Sequence, residues 1–130
     1  MTTDSTTTGA TGPARQALGS YGERVAERHL VAAGLVVLDR NWRCDEGEID
    51  LVLREGQVLV VCEVKTRSST QSCGTPHEAI TGAKLRRLQR LATAWQEAHG
   101  VRADDVRVDL VAVIRPPRGP AEVEHVKGIG

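Results

Sequence analysis

The sequence predicts an α/β domain, a mixed β-sheet flanked by helices. Three observations point there. Apolar residues recur at three- and four-residue steps from Leu18 to Ala33 and from Leu85 to Trp95, as they do on amphipathic helices. Between these stretches lie two β-rich apolar runs, "IDLVL" and "VLVVC", separated by "REGQ". A further strand pattern, "VRVDLVAVI", follows the second helical stretch. Strands that resume after a helix imply a sheet with helices packed on it.

The elements follow in order. Residues 1–14, "MTTDSTTTGATGPA", are rich in Thr, Ser and Gly, so they read as a disordered tail, leaving 15–130 as one domain. They contain no apolar segment and do not resemble a secretory signal. Pro13 suits a first helical position. Leu18, Tyr21, Val25, Ala26, Leu30 and Ala33 then form an apolar stripe, which Gly34 ends as a C-cap. "LVVLD" reads as a short strand and "RNWRCDEG" as a loop. The two runs around "REGQ" read as a hairpin, and "SSTQSCGTP" as a polar loop. Thr81 is a good N-cap for the second helix, with Leu85, Leu88, Leu91, Ala92 and Trp95 on its apolar face. Gly100 stops that helix. "VRVDLVAVI" is a strand, "PPRGP" a rigid turn and "AEVEHV" a last edge strand.

Composition narrows the function classes. A chain of 130 residues buries roughly two thirds of the surface its unfolded form exposes. It therefore needs neither disulfides nor a structural metal. Its three cysteines, Cys44, Cys62 and Cys73, are odd in number and lack a C-x-x-C, which fits a reduced, cytoplasmic setting. Cys73 and His77 have a C-x₃-H spacing that Cys44 could join, but a zinc site lacks a fourth ligand. No apolar run approaches the roughly 18 residues of a membrane span. The net charge is zero, so affinity for nucleic acid must come from a local patch. With no Phe and only Tyr21, Trp42 and Trp95, the chain is poorly equipped to stack single-stranded bases.

The hairpin carries charge where a sheet core is expected. Side chains alternate along a strand, so Glu63 and Lys65 share a face, and Asp50 shares one with Glu48 and Val52. A two-residue Glu55-Gly56 turn puts Asp50 one diagonal step from Glu63, whereas a four-residue turn puts it directly opposite. Both keep the carboxylates on one face, and a three-residue turn or a bulge inverts this. Two close carboxylates repel unless positive charge lies between them. Lys65 supplies some, and a hard divalent cation such as Mg²⁺ or Mn²⁺ supplies more. Two acids and a lysine around such an ion suit metal-assisted hydrolysis of a phosphodiester. A salt-bridge cluster on a solvated sheet face leaves the same pattern.

Asp50, twelve intervening residues and then Glu63-Val64-Lys65 resemble the signature of the PD-(D/E)XK nuclease-like superfamily. That fold includes many restriction enzymes and archaeal Holliday-junction resolvases. More closely, the chain is similar to the YraN family of small bacterial proteins. The likeness runs through "YGERVAERHLVAAG", "RNWR", "GEIDLV", "CEVKTR", "AITGAKLRRL" and "VRVDLVAV", from Leu18 to about Val126. It implies a restriction-endonuclease-like fold and a Mg²⁺- or Mn²⁺-dependent endonuclease acting on structured DNA. Asp50 and Glu63 match the metal-binding carboxylates, the Val64 carbonyl a third oxygen ligand, and Lys65 the lysine that activates water. Glu23 matches a first-helix glutamate that completes the site in resolvase-like members. The superfamily's proline is replaced by Ile49. Resolvase-like members often act as dimers, and a homodimer here is an expectation by that analogy alone.

Other charged residues stand near these motifs. Glu27 is an alternative to Glu23 or a surface residue. Glu48 supports Asp50 or forms a strand-edge salt bridge. Arg67 and Lys84 either hold phosphates or are solvated surface residues, and Arg86 and Arg87 belong to the basic helical face "KLRRLQR", which either tracks a nucleic-acid backbone or is a solvated face. Asp109 pairs with Arg107 or lines the site, and His29, His99 and His125 read as surface. Besides the nuclease, two classes remain: a non-catalytic nucleic-acid-binding module of the same fold, and a protein-interaction module. The expected nucleic acid is duplex or branched DNA.

Overall fold

The computed structural model describes residues 12–68 and 80–129. Helix α1 (Gly12–Ala32) is followed by strands β1 (Val36–Cys44), β2 (Gly47–Glu55) and β3 (Val58–Ser68), then by α2 (Gly82–His99), β4 (Asp105–Arg115) and β5 (Glu122–Val126). This is the order read from the sequence. Residues 1–11 of the expected tail lie outside the described residues, as do Cys73 and His77 of the incomplete zinc pattern.

The strands form one five-stranded sheet in the order β1-β2-β3-β4-β5. β3 and β4 run parallel and the other neighbours antiparallel, so the sheet is mixed. Parallel neighbours need a crossover, and α2 lies on it. The helices cover opposite faces. Ala26 and Leu30 of α1 pack with Leu51, Leu53, Val60, Cys62, Val111 and Val113. Leu88, Leu91, Ala92 and Trp95 of α2 pack with Val52, Leu59, Val61 and Val108. The α1 terminus closes as a Schellman motif. Gly34 sits at φ 100°, Leu35 N–H donates to the Leu30 carbonyl and Gly34 N–H to that of Val31. Leu35 then packs into the same core as Leu30.

Three expectations need correction. β1 continues through Cys44, so "RNWRC" is strand and not loop. The register shifts between Val37 and Asp39, and Asn41 adopts a left-handed φ of 47°. These breaks disturb the alternation by which a strand is recognised. The hairpin turn is Gly56-Gln57, because Glu55 pairs with Val58. His125 is not a surface residue: its Nε2 lies 2.7 Å from Asp109 Oδ2, with 9% of its side chain exposed. Asp109 does pair with Arg107, through Nε at 2.8 Å and the second guanidinium nitrogen at 2.9 Å.

The placement of α1 against β3 depends on Gly22. A Cβ added there would stand 2.7 Å from both Cβ and Cγ2 of Thr66. Thr66 Cβ is fixed to the strand backbone, so rotating the side chain cannot relieve the overlap. Gly22→Ala should therefore push α1 outward and destabilise the fold by about 1–3 kcal/mol, the usual cost of overpacking. Chemical denaturation of both proteins checks this. An unchanged midpoint would mean that the helix does not sit this close.

Candidate functional site

The β2–β3 ladder runs from Glu55↔Val58 to Leu51↔Cys62 and stops there. Beyond that point Gly47, Glu48 and Ile49 pair with β1, and residues 63–68 pair with β4. The sheet forks, and the register places Asp50 level with Glu63 at the fork. Val64 N–H, which has no strand partner on that side, donates to Asp50 Oδ2 at 2.8 Å. The face of β2 changes at the same residue. Ile49 packs in the α2 layer while Leu51 packs in the α1 layer, although residues two apart on a regular strand share a face. Asp50 thus reaches across the gap between strands.

Other carboxylates gather around it. Glu23 approaches from α1, and Asn41 Nδ2 donates to its Oε1 at 3.0 Å. The same amide nitrogen lies 3.4 Å from Glu48 Oε2, so one neutral donor links two acids. Arg43 meets Glu48 Oε1 at 3.5 Å. Ser20, Glu23, Asn41 and Asp50 help to line a cleft of about 230 Å³ beside α1. Burial pushes the Asp50 carboxyl up to about 8, and the nearby charges of Glu63, Glu23 and Glu48 add to the rise against the Val64 hydrogen bond. Burial also raises Glu23, with Glu48 and Glu63 adding to it, while the Asn41 hydrogen bond opposes the rise.

The remaining expected residues fall as follows. Lys65 lies two residues beyond Glu63 on the same face of β3 and makes no ion pair or hydrogen bond among the described residues. Lys84 sits in the first turn of α2, and its Nζ is 2.6 Å from Glu63 Oε2. Arg67, Arg86 and Arg87 are without ion pairs among the described residues, and the Arg87 stem lies against Gly47. Glu27 is engaged by Arg40, with the shortest contact at 2.6 Å. Asn41 was missed by sequence reasoning. Its signal was its residue type, because Asn tolerates a left-handed backbone better than most residues.

Among the described residues, no three His, Cys, Asp or Glu side chains converge into a metal cage. Mg²⁺ is commonly held by only one or two carboxylates with waters completing its shell. The hard oxygens of Asp50 and Glu63, half-buried and close enough to repel one another, suit that demand.

A mixed sheet between helices, forked at an aspartate that faces Glu63-Val64-Lys65, defines a PD-(D/E)XK-like domain. The family profile described as "Uncharacterised protein family UPF0102" matches residues 22–113. The chain belongs to this family, which is the YraN family of the sequence resemblance. It is 60% identical over 124 residues to a UPF0102 protein of Nocardioides sp., covering 95% of this chain and 99% of that one. It is 60% identical over 117 residues to a relative from Kineococcus radiotolerans, covering 89% and 95%. A Streptomyces coelicolor relative is 51% identical over 123 residues, covering 93% and 94%. Among the described residues, no helix is long and apolar enough to cross a membrane.

The Asp50 shift has a signed consequence for stability. An unfolded aspartate titrates near about 3.9. Between that pH and about 8 the folded state binds more protons than the unfolded one, so stability falls as pH rises through this window. Asn at position 50 cannot ionise and can still accept from Val64 N–H. In metal-free buffer Asp50→Asn should melt higher than the wild type at pH 9, and the difference should vanish towards pH 4. Melting curves across this range check it. A variant less stable at pH 9 would show that the Asp50 charge is compensated.

Proposed function

We propose that this protein is a cytoplasmic nucleic-acid-binding module of the nuclease-like fold, gripping the phosphate backbone of duplex or branched DNA. One observation carries the reading. Lys65 and Arg67 follow Glu63 on β3, Arg86 and Arg87 follow Lys84 on α2, and none of the four has an ion pair among the described residues. Arg24, Arg28, Arg54, Arg102 and Arg118 are likewise without ion pairs among the described residues, so it is position, following Glu63 and Lys84, that sets these four apart. Phosphate contacts of this kind set position and affinity without reading sequence. Binding should therefore weaken steeply with salt. Arg86→Ala combined with Arg87→Ala should lower affinity for duplex and four-way-junction DNA alike, and reduce the salt slope by about 2. Fluorescence anisotropy over a salt series tests this. Salt-insensitive binding, or binding that the double variant leaves unchanged, would refute it.

The raised carboxyl of Asp50 favours a second reading, metal-dependent phosphodiester hydrolysis. A divalent cation relieves the repulsion that Glu63, Glu23 and Glu48 impose on Asp50. Asp50, Glu63 and the Val64 carbonyl would hold Mg²⁺ or Mn²⁺, with Glu23 completing the site. The ion would lower the pKa of a water and offset charge on the phosphate. Lys65, its ammonium unengaged, would orient that water. Lys65→Met should leave the fold and most DNA affinity intact and slow cleavage about 10²–10⁴-fold. Single-turnover cleavage of duplex, flap and junction DNA with Mg²⁺ or Mn²⁺ decides this. Unchanged cleavage by folded Lys65→Met removes Lys65 from the chemistry.

A further inference from the structure

Two lysines stand near the fork, and one of them touches its acids. Lys65 shares a strand with Glu63 yet has no ion pair among the described residues. Lys84 comes from the layer above. The Thr81 hydroxyl caps α2 by accepting from Lys84 N–H at 3.1 Å, which fixes where the side chain starts. Its Nζ then reaches to 2.6 Å from Glu63 Oε2. The side chains are 25% and 14% exposed, so solvent screens this pair far less than a surface bridge. Asp50 and Glu23 have no such cation among the described residues: Asp50 accepts from a backbone N–H and Glu23 from an amide.

We propose that Lys84 is an exchangeable counter-cation of the fork, holding Glu63 in the free protein and giving way when a divalent cation seats at Asp50 and Glu63. This rests on reading those two acids as cation ligands. With Lys84 in place, an ammonium and a divalent ion would share one carboxylate group in a half-buried site, where like charges repel strongly. The flexible stem of lysine lets the ammonium leave without moving α2. Lys84 thus competes for the ligand and weakens cation binding. This role differs from that of a phosphate contact.

Mn²⁺ binding to the whole protein, read from loss of the free-ion resonance signal at fixed ionic strength, tests this. Lys84→Met should bind Mn²⁺ about tenfold tighter than wild type, equivalent to about 1.4 kcal/mol. Lys84→Arg keeps the charge and should stay near the wild type. Arg90→Met, which removes a charge elsewhere on α2, should not gain. Adding Glu63→Gln to Lys84→Met should erase the gain. If Lys84→Met binds no tighter while Asp50→Asn still abolishes binding, the role of Lys84 falls and the cation ligands stand. Equal tightening in the Glu63→Gln background would reduce the effect to bulk charge and overturn the proposal. Failure of both wild type and Lys84→Met to bind Mn²⁺ would overturn the ligand reading and the proposal with it. Melting curves establish that each variant is folded, and Lys84→Gln replaces Lys84→Met if the latter is not.

Discussion

The hydrogen bond from Val64 N–H to Asp50 is the interaction on which the site turns. Where two strands part, a backbone N–H loses its ladder partner, and leaving it buried and unpaired costs about 1–3 kcal/mol. Asp50 fills that vacancy with a side-chain oxygen. To do so it must lie between the strands, and β2 changes face at this residue. The carboxylate is then committed to a gap that Glu23 and Glu48 also approach, bridged by the Asn41 amide. α1 can bring Glu23 this near because Gly22 leaves room for Thr66. Packing forces the acids together, and the chain compensates them only in part.

Asp109, the buried charged residue among the described residues, shows what full compensation looks like. Asp109 lies in register with Cys62 on the strand beside β3 and has no exposed surface. Burial alone would raise its carboxyl, but Arg107, Gly128 N–H and His125 together outweigh that and hold it below the usual range. The network continues outward, with Glu55 bridging Arg107 and Lys127. It ties the C-terminal segment to β4 and to the end of β2. Asp109 therefore serves the fold. Asp50, desolvated with one backbone donor and three acidic neighbours, is driven the other way. A group held at this disadvantage marks a site candidate more strongly than its residue type does.

Much of this was legible in the sequence. Periodicity located both helices, Gly34 and Gly100 their ends, and alternation placed Glu63 and Lys65 on one face. Asp50 stayed beside Glu63 because both registers considered keep the same parity, even though the turn fell at Gly56-Gln57. What stayed hidden depends on contacts between distant segments. The strand through "RNWRC" is irregular, with a register shift and a left-handed Asn41, so no simple period describes it. His125 reads as polar and exposed until β5 is laid against β4 and brings it to Asp109. The engagement of Lys84 with Glu63 spans two layers, and nothing local to "TGAKL" announces it.

Charge arrangement also bears on how a polyanion can approach a fork lined with acids. At physiological salt, attraction fades beyond about 8 Å, so zero net charge is no obstacle if cations lie locally. Four ionised carboxylates in the same place would cancel them. Two features of the fork prevent this. Asp50, raised to about 8, is largely neutral at pH 7 in the absence of a cation, and Lys84 offsets Glu63. Lys65, Arg67, Arg86 and Arg87, without ion pairs among the described residues, then carry their charge against a less negative background. With three aromatic residues in the chain, one of them buried Trp95 stacked on His99, base stacking contributes little. On the nucleic-acid-binding reading proposed above, recognition would fall to the phosphates, and a fork whose acids are partly compensated would repel them less.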